Sequence, residues 1–285
     1  MRQFGTVTIV GVGLIGGSIG LALRRRGLAD RVIGLGRDRE RLAEAARLGT
    51  IDEGMTDRDR AVAEADIVVV CTPTDRIADD VKRLAVASRS DVVITDAGST
   101  KRRIVEAVEQ DDRARAVFVG AHPLAGSERR GAAAARADLL EGKVCALTPS
   151  SRTPGDRLRR AMEFWSAVGC RIVTLDADAH DEALARTSHL PHVVASALAL
   201  SVPAEHLPLA AGAYRDGTRV AASDPDLWVA IFLENPDHLL AALEDFRSAL
   251  DHFRDALQER DRERLRSLWQ NGKLVREQFD PPPTH

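Results

Sequence analysis

The stretch GAHPLAGSE, residues 120–128, sets His122 directly before a proline and closes a small-residue turn with Glu128. A residue preceding proline is held extended, so the backbone that carries this imidazole is restricted. An imidazole with an unperturbed pKa of about 6.5 could take the proton of a substrate hydroxyl while hydride leaves the same carbon. A turn histidine facing solvent is the simpler reading of any single His. The surrounding residues decide between the two.

Two other clusters could carry chemistry. TSHLPHVV holds Ser188, His189 and His192; Ser188 and His192 are four apart and share a face if the segment is helical, although Pro191 bends or restarts it. Two histidines three apart hint at a metal, but no acidic third ligand is placed to join them. Polar substrate contacts from Ser188 and His192 fit better, with His189 a buried structural residue as the alternative. In AYRDGTRVAASDPDLW, Arg215 and Arg219 flank Asp216, which could turn one guanidinium toward an anionic substrate. Arginine greatly outnumbers lysine in this chain, so a solvated surface arginine is the plainer reading unless something independent demands a carboxylate substrate.

The elements that must position these residues are legible from the pattern. Through residue 176, the apolar runs TVTIVGVG, RVIGLG, ADIVVVCTP, DVVITDAG, AVFVGAHP, KVCALTP and RIVTLD alternate with amphipathic segments such as RLAEAARLG. This predicts parallel strands with crossover helices, a doubly wound Rossmann-type α/β sheet, with His122 just past the carboxyl end of AVFVG. Beyond Asp176 long Ala/Leu-rich stretches follow, predicting a dinucleotide-binding domain over 1–176 and an all-helical domain over 177–285. The tail DPPPTH cannot continue a helix and is expected to be disordered.

GVGLIGGS opens a helix immediately after the first strand, the context in which GxGxxG carries meaning. Gly11 permits the tight turn, Gly13 lets the backbone approach a pyrophosphate, and Gly16 lets the helix pack on the strand, with Leu14 and Ile15 between them. At the end of the second strand, where an acid would read the adenosine ribose, stands Gly36, followed by Arg37 and Asp38. The missing acid and the guanidinium favour NADP over NAD, while one residue of misregister would restore the acid through Asp38. Two further strand ends, VVCTPTD with Cys71, Thr72 and Pro73, and ITDAGSTK with Gly98 and Ser99, lie on the same carboxyl edge, where ligands bind in this architecture.

Composition bounds the partners. The net charge of −3 implies neither nucleic acid nor membrane, and Cys71, Cys145 and Cys170 form neither a metal-ligand spacing nor a disulfide framework. Cys71 and Cys145 read as strand-end core residues. MRQFGTVTIVGVG lacks the features of a signal peptide, so a cytoplasmic protein is expected.

In order and rough spacing, GVGLIGGS, DAGSTK, GAHPLAGSE, TSHLPH and YRDGTR…SDPDLW resemble the prephenate/arogenate dehydrogenase family over residues 5 to 275. The resemblance implies a Rossmann domain followed by a helical substrate-binding and dimerisation domain, hence a homodimer. It implies oxidative decarboxylation of prephenate or arogenate in tyrosine biosynthesis, with hydride passing to NAD(P)+. In the family's pattern the catalytic histidine falls on His122 and the carboxylate-binding arginine on Arg219. Ser99, Ser127, Glu128, Ser188, His192 and Trp228 match positions that line or gate the substrate pocket. No room is expected after the helical domain for the ACT or fused mutase domain of some relatives. Two rivals stand beside this reading. A β-hydroxyacid dehydrogenase would rely on a catalytic lysine in the helical half, where Lys273 alone is available. A catalytically silent NADP-binding sensor would leave the pairing of His122 with Arg219 unexplained.

Overall fold

The computed structural model describes residues 3–126 and 129–279, so the DPPPTH tail and the loop residues Ser127 and Glu128 lie outside the described residues. Two compact units emerge, 1–236 and 237–285. In the first, strands β1 (Phe4–Val10), β2 (Ala29–Leu35), β3 (Glu53–Met55), β4 (Ile67–Val70), β5 (Val93–Asp96), β6 (Phe118–Pro123), β7 (Val144–Thr148) and β8 (Arg171–Thr174) form one sheet in the order β3-β2-β1-β4-β5-β6-β7-β8. The expected Rossmann order is present from β3 to β6, all parallel.

The strands divide their side chains between two cores by simple alternation. Val7, Ile9, Ile67 and Val69 pack on one face with Ile19, Leu23, Phe164 and Trp165; Val10, Val68 and Val70 pack on the other with Ile77, Val81, Leu84 and Ile104. Burial on both faces is why these strands read as continuous apolar runs. The three-residue strand β3, with the sequence EGM, carries no such run and gave no signal.

One strand direction differs from expectation: β7 pairs antiparallel with β6, and β8 follows β7 in parallel. A parallel return needs a crossover, usually a helix. Among its described residues the β6–β7 connection holds no α-helix; its 3-10 turn Ala132–Ala134 packs on the Leu14–Arg25 helix, where a Cβ on Gly17 would come within 2.9 Å of Ala135. The antiparallel partner also lengthens β6, so His122 sits inside the strand, opposite Ala146, rather than just past its end.

Helices follow β8: Ala177–Leu184, a π-helical stretch Ala185–His189, Leu190–Ser201, Gly212–Thr218, a 3-10 turn Arg219–Ala222, and Pro225–Glu234. Pro191 falls in the first turn of its helix, where its missing N–H costs nothing. The π-helical stretch is the local accommodation that carries the chain into that helix. The second unit holds the helix ending at Gln258 and the helix Arg262–Phe279; between them Arg260 turns the chain at φ 56°. No helix among the described residues is long and apolar enough to cross a membrane.

Candidate active site

The nucleotide end is a cavity of about 640 Å³ at the carboxyl ends of β1, β2 and β4, lined among others by Gly11, Gly13, Arg37, Asp38, Cys71, Thr72 and Pro73. Gly11 takes φ +90°, and a Cβ there would lie 2.9 Å from the Cys71 carbonyl. A Cβ on Gly16 would lie 2.3 Å from the Gly11 carbonyl, so the helix enters at a separation only glycine permits. Gly13 is the N-cap of the Leu14–Arg25 helix; no side chain caps it, and the space its Cβ would take is open. Free helix N–H groups beside open space fit an anionic pyrophosphate. Leu14, Ile15 and Gly16, in the first turn of that helix, and Gly98, in the turn after β5, are not among the residues that line the cavity.

At the ribose end Asp38 is spent on structure. Its Oδ1 accepts from the Glu40 and Arg41 amides at 3.0 and 3.2 Å as N-cap of the Arg39–Arg47 helix, and its Oδ2 lies 3.4 Å from Arg41 Nε. Arg37 is exposed and makes no ion pair among the described residues. The cavity lining adds Arg41, Arg58, Arg76 and Arg83, which sequence reasoning missed because they come from four separate elements. Thr72 Oγ1 is engaged, donating to Asp80 Oδ2 at 2.8 Å.

His122 lies two strands beyond β4 on the same sheet edge. Its Nδ1 is 2.9 Å from His180 Nε2, and His180 Nδ1 is 2.7 Å from Asp181 Oδ1. Asp181 also accepts from the Lys101 amide at 2.7 Å and the Arg102 amide at 2.9 Å, capping the Arg102–Glu109 helix from a distant segment. Asn235, at the end of the Pro225–Glu234 helix, donates to the Asp181 carbonyl at 2.7 Å. On the other side, buried Asp96 pairs with the Lys101 ammonium and accepts from the Ala121 amide at 2.8 Å and the Gly98 amide at 2.9 Å. His122 is thereby tied to β5 through the neighbouring Ala121 amide and to the helix that follows β8 through its own ring.

The expectation of an unperturbed His122 is corrected. Burial pushes its pKa well below the ordinary histidine value, and neighbouring His180, Lys101 and His189 push the same way. His122 is therefore neutral near pH 7.

The second predicted cluster is also assembled. His192 lies stacked on Trp228, with ring centroids 3.5 Å apart, and its Nδ1 donates to the Ser188 carbonyl at 2.8 Å. Burial lowers the His192 pKa, the Ser188 bond raises it, and nearby Arg219 lowers it. His189 is buried, touches Asn235, and has its pKa lowered to about 4 by burial above all. His122, His180, His189 and His192, half of the eight histidines, thus form one electrostatically connected group. Arg219 opens the turn packed against the Leu190–Ser201 helix, while Arg215 and Asp216 are exposed and the anticipated Asp216 ion pair is absent among the described residues. Ser99 is half-buried in the turn between Asp96 and Lys101.

His180, Asp181, Asp96, Lys101 and Asn235 were not anticipated. Of these only the adjacent His180–Asp181 pair, a few residues past a strand, offered a sequence signal.

Family models match on both sides of this site: prephenate dehydrogenase, nucleotide-binding domain, over residues 19–174, and prephenate dehydrogenase, dimerization domain, over 176–271. A cyclohexadienyl dehydrogenase of Zymomonas mobilis is 35% identical over 97% of this chain and 96% of its own length. A prephenate dehydrogenase of Bacillus subtilis is 33% identical over 95% of this chain and 75% of its own. Among solved structures, prephenate dehydrogenase of Aquifex aeolicus with hydroxyphenyl propionate and NAD+ superimposes at TM-score 0.89, with 33% identity over 98% of both chains. A 3-hydroxyisobutyrate dehydrogenase of Mycobacterium tuberculosis, 18% identical at TM-score 0.51 over 74% of this chain and 68% of its own, shares the fold alone. The nucleotide cradle, the histidine on the sheet edge and the helical cluster facing it accordingly belong to one lineage, and the chain is a member of the prephenate dehydrogenase family of oxidoreductases.

Proposed function

We propose that the chain catalyses oxidative decarboxylation of prephenate, arogenate or both, giving 4-hydroxyphenylpyruvate or tyrosine, with His122 as the base. The observation that carries this reading is the commitment of His122 Nδ1 to His180, which leaves Nε2 as the ring's remaining lone-pair atom. A bound nicotinamide dinucleotide supplies the hydride acceptor, and Gly11, Gly13, Cys71, Thr72 and Pro73 would hold it. As hydride leaves the ring carbon bearing the hydroxyl, that oxygen becomes strongly acidic, so even a weak neutral base suffices to draw off its proton. The electrons of the breaking C–CO2 bond complete the aromatic ring, and His122 returns its proton to the phenol oxygen. Carbon dioxide departs and the hydroxyl is retained, so protons balance.

Arg219 is assigned the substrate side-chain carboxylate, with Ser99, Ser188, His192 and Trp228 around it and Ser127 and Glu128 on the loop after β6. Its exposure and closeness to His192 support a role at an open pocket rim. NADP is favoured over NAD: Arg37 is free to pair with a ribose 2′-phosphate, whereas Asp38 is already occupied as a helix cap. The functional division falls at 1–176 and 177–285. A homodimer is assigned to the helical part, whose helices leave Leu240, Trp269, Val275 and Phe279 exposed. We assign the protein to the cytoplasm.

The test is cofactor reduction with prephenate, arogenate and a panel of hydroxyacids, each with NAD+ and NADP+. Turnover of the two cyclohexadienyl substrates alone supports the reading; turnover of hydroxyacids transfers the chain to the rival class, and no turnover leaves the sensor.

A further inference from the structure

We propose that His180 is a positioning residue for this reaction, fixing the tautomer of His122 through the chain His122–His180–Asp181. The proposal deepens the reading of His122 as the base and depends on it.

Asp181 has only acceptor oxygens to offer, and both already receive backbone N–H groups, from Lys101 at 2.7 Å and Arg102 at 2.9 Å. The His180 Nδ1 at 2.7 Å must therefore carry a proton and donate it. In a singly protonated His180, Nε2 then presents a lone pair. The atom facing it at 2.9 Å, His122 Nδ1, must in turn be the donor. The proton of His122 is thereby held on Nδ1, and the lone pair stays on Nε2, the tautomer a base needs. His180 is fully buried, so no water competes for either nitrogen.

Other charged groups on the surrounding elements are already paired or neutral partners in the same cluster. Lys101 and Asp96, from β5 and the turn after it, bind each other; His189, from the π-helical stretch, meets Asn235. When His122 takes the substrate proton, its new charge sits at one end of a line whose other end is the Asp181 carboxylate, and nothing has to move to compensate it. A doubly protonated His180 would do the opposite: it would donate to His122 Nδ1 and drive the His122 proton onto Nε2.

The test uses the full chain. In ¹⁵N NMR of imidazole-labelled enzyme at pH 7, His122 is expected protonated at Nδ1 and bare at Nε2. His180→Leu is expected to lower kcat by about 10²-fold or more with both KM values within about threefold, and His180→Gln, whose Oε1 still accepts from His122, to recover at least about tenfold of that loss. Asp181→Asn, which can donate to His180 Nδ1 and so reverse the chain, is expected to move the His122 proton to Nε2. A wild-type His122 protonated at Nε2, or a folded His180→Leu enzyme within about threefold of wild-type kcat, overturns the proposal. His122→Asn is assayed beside them. If it collapses turnover while His180→Leu does not, only the positioning role falls; if it too leaves turnover intact, the base assignment falls with it.

Discussion

His192 lies flat against Trp228, ring centroids 3.5 Å apart and planes 23° from parallel. The contact fixes a ring whose Nδ1 is already tied to the Ser188 carbonyl, so a single orientation of Nε2 is maintained beside Arg219. Trp228→Ala removes a stacking surface worth about 0.5–1.5 kcal/mol. Substrate KM is expected to rise by roughly threefold to tenfold with a smaller change in kcat. An equal fall in kcat with KM unmoved would tie the tryptophan to the chemical step instead.

Arg219→Ala is expected to raise substrate KM by about tenfold to a hundredfold, the loss of a charge-assisted hydrogen bond of roughly 1.5–3 kcal/mol. Arg219→Lys is also weakened, because an ammonium cannot reproduce the paired geometry of a guanidinium. Should KM stay constant in the alanine variant, the substrate carboxylate is held elsewhere, and exposed Arg215, one helical turn away, is next to be examined.

Arg37→Ala is expected to abolish a preference for NADP by costing only the 2′-phosphate form about 1.5–3 kcal/mol. Ratios of kcat/KM for the two cofactors, in wild type and variant, measure it. A wild type that prefers NAD, with the ratio unmoved by the substitution, would mean that Asp38 reads the ribose despite its capping role.

Stability should fall between pH 7 and pH 5, above the ordinary carboxylate range. His122 and His189 have lowered pKa values when folded, His189 to about 4. In the unfolded chain both take up protons near about pH 6.5. Their contribution is complete above that value and is lost as pH falls through the window toward 4, because the unfolded state binds the protons first. Denaturant unfolding at the two pH values checks the sign; a protein more stable at pH 5 contradicts it.

The doubly wound class, the strands β1, β2, β4, β5 and β6 and the glycine cradle were legible because each follows from a local pattern: doubly buried strands and a turn only glycine can make. His122 and His192 were legible as chemistry-bearing types near strand and helix ends. The His122–His180 link was not, since it joins residues 58 positions apart, one on β6 and the other on the helix that follows β8. Nor was the fate of Asp38 visible: an acid three residues past a strand reads the same whether it faces a ribose or caps the next helix, and only the geometry assigns it to the cap.

The central claim is that His122 removes the hydroxyl proton, and turnover of His122→Asn measures it most directly. Asparagine keeps a polar side chain of similar size at the β6 edge while removing the base. Steady-state kcat is expected to fall by roughly 10²–10⁴-fold with cofactor affinity near that of wild type. A fall of less than about threefold with the cofactor still bound would mean that the proton leaves by another route, and His122 would be a strand residue that the site merely adjoins.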